Sequence, residues 1–507
     1  MTAARRDCAL FFAALFAVTL ALRLCHSHIL WADEDYHLAA GIQTLDGKLL
    51  YRDLWYDKPP LAAWVYAALG GLAGWPLRVF GALYVLAVCA ATWRFASDLW
   101  GRREGMLAAG LMGFFLNFDL PSAVIPIAPD LFLLLPHIAA VHCAWKRRPL
   151  AAGLLCGVAF LFHAKGVLVL AACALLAWRG LPSLLLGFAI PNAVMFAVLA
   201  AGGALAPYFR QVWEWSAAYA RNSPELHPAQ NGLRRTADWL GFHAALAAGA
   251  AAFWWGNRKR ENLWMAGWLA LSFCGVALGA RFFARYFVQL LPPTVLMAAR
   301  GLAMLRPGAG SGAADTGPEG APRAAARTAP GRTLTPAGRK ALTLAAAAAL
   351  LVPLVRFGPR YGELAEDLLL GQEHRWSDVA LDRDSRAAAA EVDRRRRPGD
   401  TLFVWGYRPG IFVYTRLPVA ARFWDSQPLT GVSADRHLHD TLAVLPAQMA
   451  RNRTEFAASK PTFVVDSLSL SNPRLALEAY AELDGWRARY RLVARTPLSL
   501  IYELAAR

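Results

Sequence analysis

Apolar residues in this chain come in long blocks with brief polar breaks, not at the period of an amphipathic helix or strand. That pattern fills the first 357 residues. A helix crossing a bilayer needs about 20 apolar residues. About eleven blocks qualify, centred on 9–27, 76–97, 104–118, 128–145, 149–163, 166–178, 182–206, 237–256, 262–279, 285–305 and 340–357. The fifth and sixth are short. The segment LAAWVYAALGGLAG after Pro60 is too short to cross and is expected at the membrane interface. Arg5 and Arg6 precede the first block, but no small-x-small cleavage site follows it, so it reads as a retained helix.

The pattern changes after the last block. TLFVWG (401–406), GIFVYT (410–415), TFVVDS (462–467) and LSLIYEL (498–504) predict strands. ALDRDSRAAAAEVDRRRR and PRLALEAYAELDGW, between them, predict helices, and the alternation predicts a small α/β domain. Residues 306–338 are rich in Gly, Ala and Pro without apolar periodicity and read as a disordered cytoplasmic linker. The expected organisation is a helical membrane domain over 1–305, the linker 306–338, a last transmembrane helix at 339–357 and an α/β domain over 358–507.

Composition agrees with this division. Hydrophobic residues make up 57% of the 507, and the mean hydropathy is +0.32, which excludes an ordinary soluble globular protein. The net charge of +17 is unevenly placed: residues 1–357 hold 32 Lys+Arg against 17 Asp+Glu, and 358–507 hold 21 against 19. The soluble-looking tail therefore lacks a basic excess, and no nucleic-acid partner is expected. All seven cysteines lie in or beside apolar segments, without CxxC or Cys/His zinc spacing, and read as small buried hydrophobes. His437, His439 and Asp440 have metal-ligating chemistry but no further ligand at a recognisable spacing.

Basic residues orient the spans. Arg102–Arg103, Lys146–Arg147–Arg148, Arg179, Arg258–Lys259–Arg260 and Arg339–Lys340 fall on one side, which is expected to be cytoplasmic. The loops 28–75, 119–127, 207–236 and 280–284, and the tail, are then outside. The high Ala and Arg content fits a bacterial source and the inner (cytoplasmic) membrane.

Chemistry concentrates in the first outer loop. Six of the seventeen acidic residues of 1–357 lie between Asp33 and Asp57. Asp33-Glu34-Asp35 directly follows a span end, and Lys58 sits between Asp57 and Pro59–Pro60. Trp31, Tyr36, Tyr51, Trp55, Tyr56 and Trp64 suit an interfacial layer. Asp130 opens the fourth span behind two prolines. Lys165 lies in the tight turn between the fifth and sixth spans, where a lysine is costly unless it pairs or snorkels. Arg281, Arg285 and Tyr286 begin the tenth. Cations at one membrane surface suit a phosphate, and a carboxylate beside them suits a general base. These residues point to a lipid-phosphate-linked donor whose phosphate departs during transfer. A transporter or flippase of a lipid-linked substrate, and a scaffold presenting the tail, are the other readings. The absence of an internal repeat and the gathering of polar groups at one surface disfavour the transporter.

The ordered set Trp31-x-Asp33-Glu34, Lys58-Pro59-Pro60, Asp130 behind prolines, Lys165-Gly166 in a turn, and Arg285-Tyr286-Phe287 before Leu291-Pro292-Pro293 resembles the polyprenyl-phosphate-dependent GT-C glycosyltransferases. It is similar in particular to glycosyltransferase family 39, bacterial aminoarabinose transferases and protein O-mannosyltransferases. The resemblance spans roughly 1–305, and VWGYRPGIFVYTRLPVAARF in the tail extends it. It implies a GT-C fold and inverting transfer of a sugar from a polyprenyl-phosphate donor to a lipid, glycan or protein acceptor. Asp33, with Glu34, is implied as the catalytic carboxylate. Lys58, Arg281, Arg285, Tyr286 and Lys165 are implied at the donor phosphate, and Asp35, Tyr36, Asp57 and Asp130 in the cavity and at the acceptor. Three positions depart from the aminoarabinose transferases: Tyr36 replaces an arginine, Asp57 a glutamate, and VWEWSAAYARNS lacks their metal-holding histidine. No cofactor is therefore expected, and a divalent metal is doubtful.

Overall fold

The computed structural model describes residues 3–221, 227–256, 262–305, 336–433, 435 and 442–505. The predicted linker up to residue 335, the Arg258–Lys259–Arg260 run, and His437, His439 and Asp440 lie outside the described residues.

Each apolar block contains a helix. These are α1 (Ala3–Leu24), α4 (Trp75–Trp100), α5 (Arg102–Phe115), α6 (Leu134–Trp145), α7 (Pro149–Phe162), α8 (Gly166–Ala177), α9 (Leu181–Ala201), α11 (Ala244–Gly256), α12 (Leu263–Ala277), α13 (Leu291–Leu305) and α14 (Pro336–Leu370). Among the described residues, five stretches are long and apolar enough to cross a membrane: Arg5–Leu24, Trp75–Trp100, Gly166–Ala201, Ala284–Leu305 and Lys340–Leu370. The chain is a multi-pass membrane protein. The stretch 284–305 is 83% buried by protein, against 11% for 5–24, so α13 is central and α1 peripheral.

Small residues let the helices approach closely, as membrane packing favours. A Cβ on Gly153 of α7 would lie 2.0 Å from the Leu184 carbonyl oxygen of α9, and one on Gly187 would lie 2.3 Å from the Leu150 oxygen.

The 28–75 loop is itself folded. α2 (Glu34–Leu45) and α3 (Leu61–Ala68) pack against each other, and Glu34 to Gln43 are all buried. The eighth apolar block divides into α10 (Pro228–Phe242) and α11. The last helix outruns its predicted end, continuing to Leu370 through Pro353 and Pro359.

The tail carries one sheet, ordered β1 (Leu402–Trp405), β2 (Phe463–Asp466), β4 (Leu500–Leu504), β3 (Tyr490–Arg495). β1 and β2 are parallel, with Leu402 opposite Phe463, and the other pairs are antiparallel. α15 (Ala380–Asp393) matches the first predicted tail helix. Two expectations fail. GIFVYT is not a strand but the short helix α16 (Gly410–Thr415), entered from Pro409 and stopped at Arg416 with φ 55°. Nearly all of it is buried, and a six-residue apolar run shows neither period clearly. PRLALEAYAELDGW forms three short 3₁₀ turns and a four-residue helix instead of one helix. α17 (Pro446–Phe456) and β3 were not foreseen.

The tail is fastened to the loop. The Gln43 side chain donates to Leu417 O and accepts from Val419 N. Trp55 N donates to Arg422 O, and Trp424 Nε1 donates to Trp55 O. Both are long-range contacts between a membrane-domain loop and the sheet domain.

Candidate active site

Asp33 immediately precedes α2 with φ 71° and makes no capping hydrogen bond there. Its carboxylate instead pairs with the Arg285 guanidinium. The facing segment is strained too: Ala280 has φ 53° and Phe282 φ 47°, on either side of Arg281. A left-handed conformation costs L residues roughly 1–2 kcal/mol each. Such strain concentrates at functional sites.

The remaining charges collect around this pair. Lys58 Nζ lies 2.7 Å from Asp57 Oδ2 and keeps 40% of its side chain exposed. It is within electrostatic reach of Tyr219 and Asp130. The Arg281 guanidinium lies 3.7 Å over the Tyr219 ring. Asp130 Oδ1 takes Lys165 Nζ and the Gln289 amide, each at 3.4 Å, with His163 Nε2 at 4.0 Å. Lys165 Nζ stands 3.3 Å over the Tyr286 ring, a cation–π contact. Tyr286 in turn lies within reach of Tyr219, Asp130, Arg285 and Arg281. The structure thus brings together Asp33, Asp57, Lys58, Asp130, Lys165, Arg281, Arg285 and Tyr286.

The loop that presents Lys58 is braced from several directions. Tyr51 Oη donates to Lys58 O at 2.8 Å. Gln211, on the π-helical turn Phe209–Glu214, donates to Tyr51 O and accepts from Tyr56 N. His37 Nδ1 meets the Tyr56 hydroxyl.

Three predicted residues are placed elsewhere. Glu34 turns away from the cluster and is fully buried against Arg78. Its Oε2 accepts from Arg78 Nη1 at 3.0 Å and from Ile127 N at 2.9 Å. A carboxylate so held cannot reach an acceptor, and its place in the fold is structural. Asp35 faces the tail, beside Asp382, Arg408 and Gly410. Tyr36 is buried between Tyr56 and Trp424, with ring centroids at 5.2 and 5.4 Å, and its hydroxyl accepts from Asp57 N. It positions Asp57 and does not line an open site.

Tyr219, Gln289, Gln211 and His37 were missed. Gln289 carried a legible signal, a polar side chain within an apolar block. Tyr219 lies in VWEWSAAYARNS, where one aromatic among several carries no distinguishing signal.

The tail adds one buried acid. Asp425 is 1% exposed, its Oδ1 accepts from Gln427 N at 2.9 Å, and its Oδ2 has no hydrogen-bond partner among the described residues. Burial pushes its carboxyl well above the ordinary carboxylate range, Asp435 and Asp57 add to the rise, and the Gln427 N–H opposes it. Among the described residues, no group of three or more His, Cys, Asp or Glu side chains is placed to hold a metal ion.

The helix layer, the folded loop ahead of α4 and the sheet domain behind the last helix define a GT-C membrane fold. Solved structures that share it include those of ArnT from Cupriavidus metallidurans. With undecaprenyl phosphate bound, that protein superposes with a TM-score of 0.57 at 16% identity, covering 98% of each chain. In its apo state the score is 0.53 at 16% identity, covering 99% of each. No protein-family model and no curated protein matches the sequence.

Proposed function

We propose that this chain transfers a sugar from a polyprenyl phosphate to an acceptor hydroxyl or amine on the outer side of a bacterial inner membrane. The observation that carries the reading is the Asp33–Arg285 pair, with Asp33 on strained backbone, beside the cluster of Tyr286, Arg281, Lys165 and Lys58. The likeness to a structure holding undecaprenyl phosphate supports the choice of donor.

In the proposed step, the donor phosphate sits against Lys58 and the Arg281–Arg285 side, while the polyprenyl chain lies along the apolar helices. Asp33 takes the acceptor proton. The acceptor atom bonds to the anomeric carbon from the face opposite the phosphate. The bond from that carbon to the phosphate oxygen breaks, and its electron pair leaves with the lipid phosphate, so configuration inverts. Arg285 orients Asp33 and stabilises charge on the departing phosphate. Lys165, paired with Asp130 beneath Tyr286, holds that ring in place.

The test is label transfer from radiolabelled polyprenyl-phosphate sugars in membranes, comparing wild type with Asp33→Asn. Loss of a general base lowers the rate about 10²–10⁴-fold. Donor binding without transfer by the wild-type protein, across several sugars, would overturn the reading and favour a lipid-linked substrate transporter.

A further inference from the structure

A cavity of about 360 Å³ lies where the π-helical turn meets the sheet domain. From the membrane side it is lined by Trp55, Arg210, Gln211 and Trp215, and from the tail by Arg422 and Arg451. We infer that this cavity binds the acceptor, and that the acceptor presents a saccharide bearing an anionic group. The inference rests on the transferase reading above and extends it to the acceptor's chemistry.

Position comes first. Trp55 lies three residues before Lys58 on one braced loop, so a molecule seated against Trp55 adjoins the segment that delivers Lys58 and Asp57 to the reacting cluster. Arg210, Gln211 and Glu214 all project from the single π-helical turn Phe209–Glu214. Such turns recur at functional sites.

Charge comes next. Among the described residues, three guanidinium groups line the cavity against one carboxylate, Glu214. Their planar forks match phosphate and carboxylate oxygens. Arg422 meets Glu455 at 2.6 Å, with 35% and 51% of the two side chains exposed. A pair that exposed is held weakly and can be exchanged for a ligand. Arg451 donates to Gln448 at 2.6 Å.

The third observation concerns the indoles. Trp55 and Trp215 meet edge to face at 5.6 Å. Trp55 is 91% buried, and its Nε1–H has no hydrogen-bond partner among the described residues. A buried donor left unpaired is costly, and a slight turn of the indole on binding would bring it to a ligand oxygen. Indole surface beside amides and a free N–H donor suits a pyranose ring, and the guanidiniums suit its anion. The volume lies within the range of small-molecule sites, roughly 300–1,000 Å³.

The experiment uses the full chain in detergent and equilibrium dialysis with radiolabelled glucose 6-phosphate, glucuronic acid and glucose. Undecaprenyl phosphate binding is measured on the same samples. The two anionic sugars are expected to bind at least about tenfold more tightly than glucose, a difference of about 1.4 kcal/mol. The triple variant Arg210→Gln, Arg422→Gln, Arg451→Gln should erase that preference while retaining the lipid. These side chains reach the surface, so a monodisperse variant is expected, and Trp55→Phe should weaken all three sugars. The stronger of the two anionic sugars identifies the anion, and either preference supports the inference. Equal binding of glucose, or an anionic preference that survives the triple variant, overturns it. Lipid binding with no sugar binding overturns it too and leaves the transferase reading intact, whereas loss of lipid binding by the wild-type protein strikes that reading itself.

Discussion

Replacing Glu34 with alanine is expected to destabilise the protein severely, whereas replacing its neighbour Asp33 with asparagine should leave the fold intact. The Glu34 carboxylate accepts three N–H groups: two from Arg78 and one from Ile127. Both partners of the ion pair are buried, at 1% and 0% exposure. Arg23, whose guanidinium donates to Ile125 O and Val124 O, lies within electrostatic reach of Arg78 and Glu34. Removing the carboxylate therefore leaves two buried guanidiniums repelling each other. Breaking a buried pair from one side costs about 3–5 kcal/mol, or roughly two to four decades in the folded-to-unfolded ratio. The Asp33–Arg285 pair keeps 29% and 18% of its side chains exposed, and asparagine retains a hydrogen-bonding oxygen for the guanidinium, so its loss costs the fold much less. The assay is thermal unfolding in detergent, followed by tryptophan fluorescence and size-exclusion profile. Glu34→Ala should lower the midpoint sharply or abolish the monodisperse peak. The double variant Glu34→Leu, Arg78→Met should recover most of the loss by removing both charges. An unchanged midpoint for Glu34→Ala, or a double variant worse than the single, would refute the reasoning.

Two other outcomes follow from packing and charge. Because the folded carboxyl of Asp425 is raised, the native state keeps its proton to higher pH than the unfolded chain does. The stability it contributes is present at low pH and lost as pH rises above the ordinary carboxylate range. Asp425→Asn should therefore melt above wild type by a margin that widens from pH 6 to pH 8, and parallel profiles would contradict this. Gly153→Val should disrupt the α7–α9 contact, since even a Cβ there falls 2.0 Å from Leu184 O. Its size-exclusion profile should show aggregation, while Gly241→Ala, at a glycine with open space around it, should behave as wild type.

Much of the membrane architecture was legible because the bilayer imposes a simple rule: a crossing helix must be apolar along its whole length. Every predicted block contains a helix. The tail was read less well because its short buried runs satisfy helix and strand alike. GIFVYT is rich in strand-forming residues, yet Pro409 and the packing of α16 against α2 and α15 make it a helix.

At the site, chain order revealed which residue types gather near one surface. Asp33, Lys58, Asp130, Lys165, Arg285 and Tyr286 were all nameable from the sequence as charged or amphipathic groups where apolar ones would be expected. Direction was not nameable. Asp33 and Glu34 are adjacent, and only the left-handed backbone at Asp33 sends one toward Arg285 while the other enters the core against Arg78. The sequence by itself determined the hydrophobic blocks, their breaks and the chemistry available at those breaks, because these follow from local composition. Tertiary structure alone decided which carboxylate faces the cations, which supports the fold, and that Trp55, Arg210 and Arg422 share a cavity. Those outcomes depend on dihedral angles and on contacts between residues more than 40 positions apart.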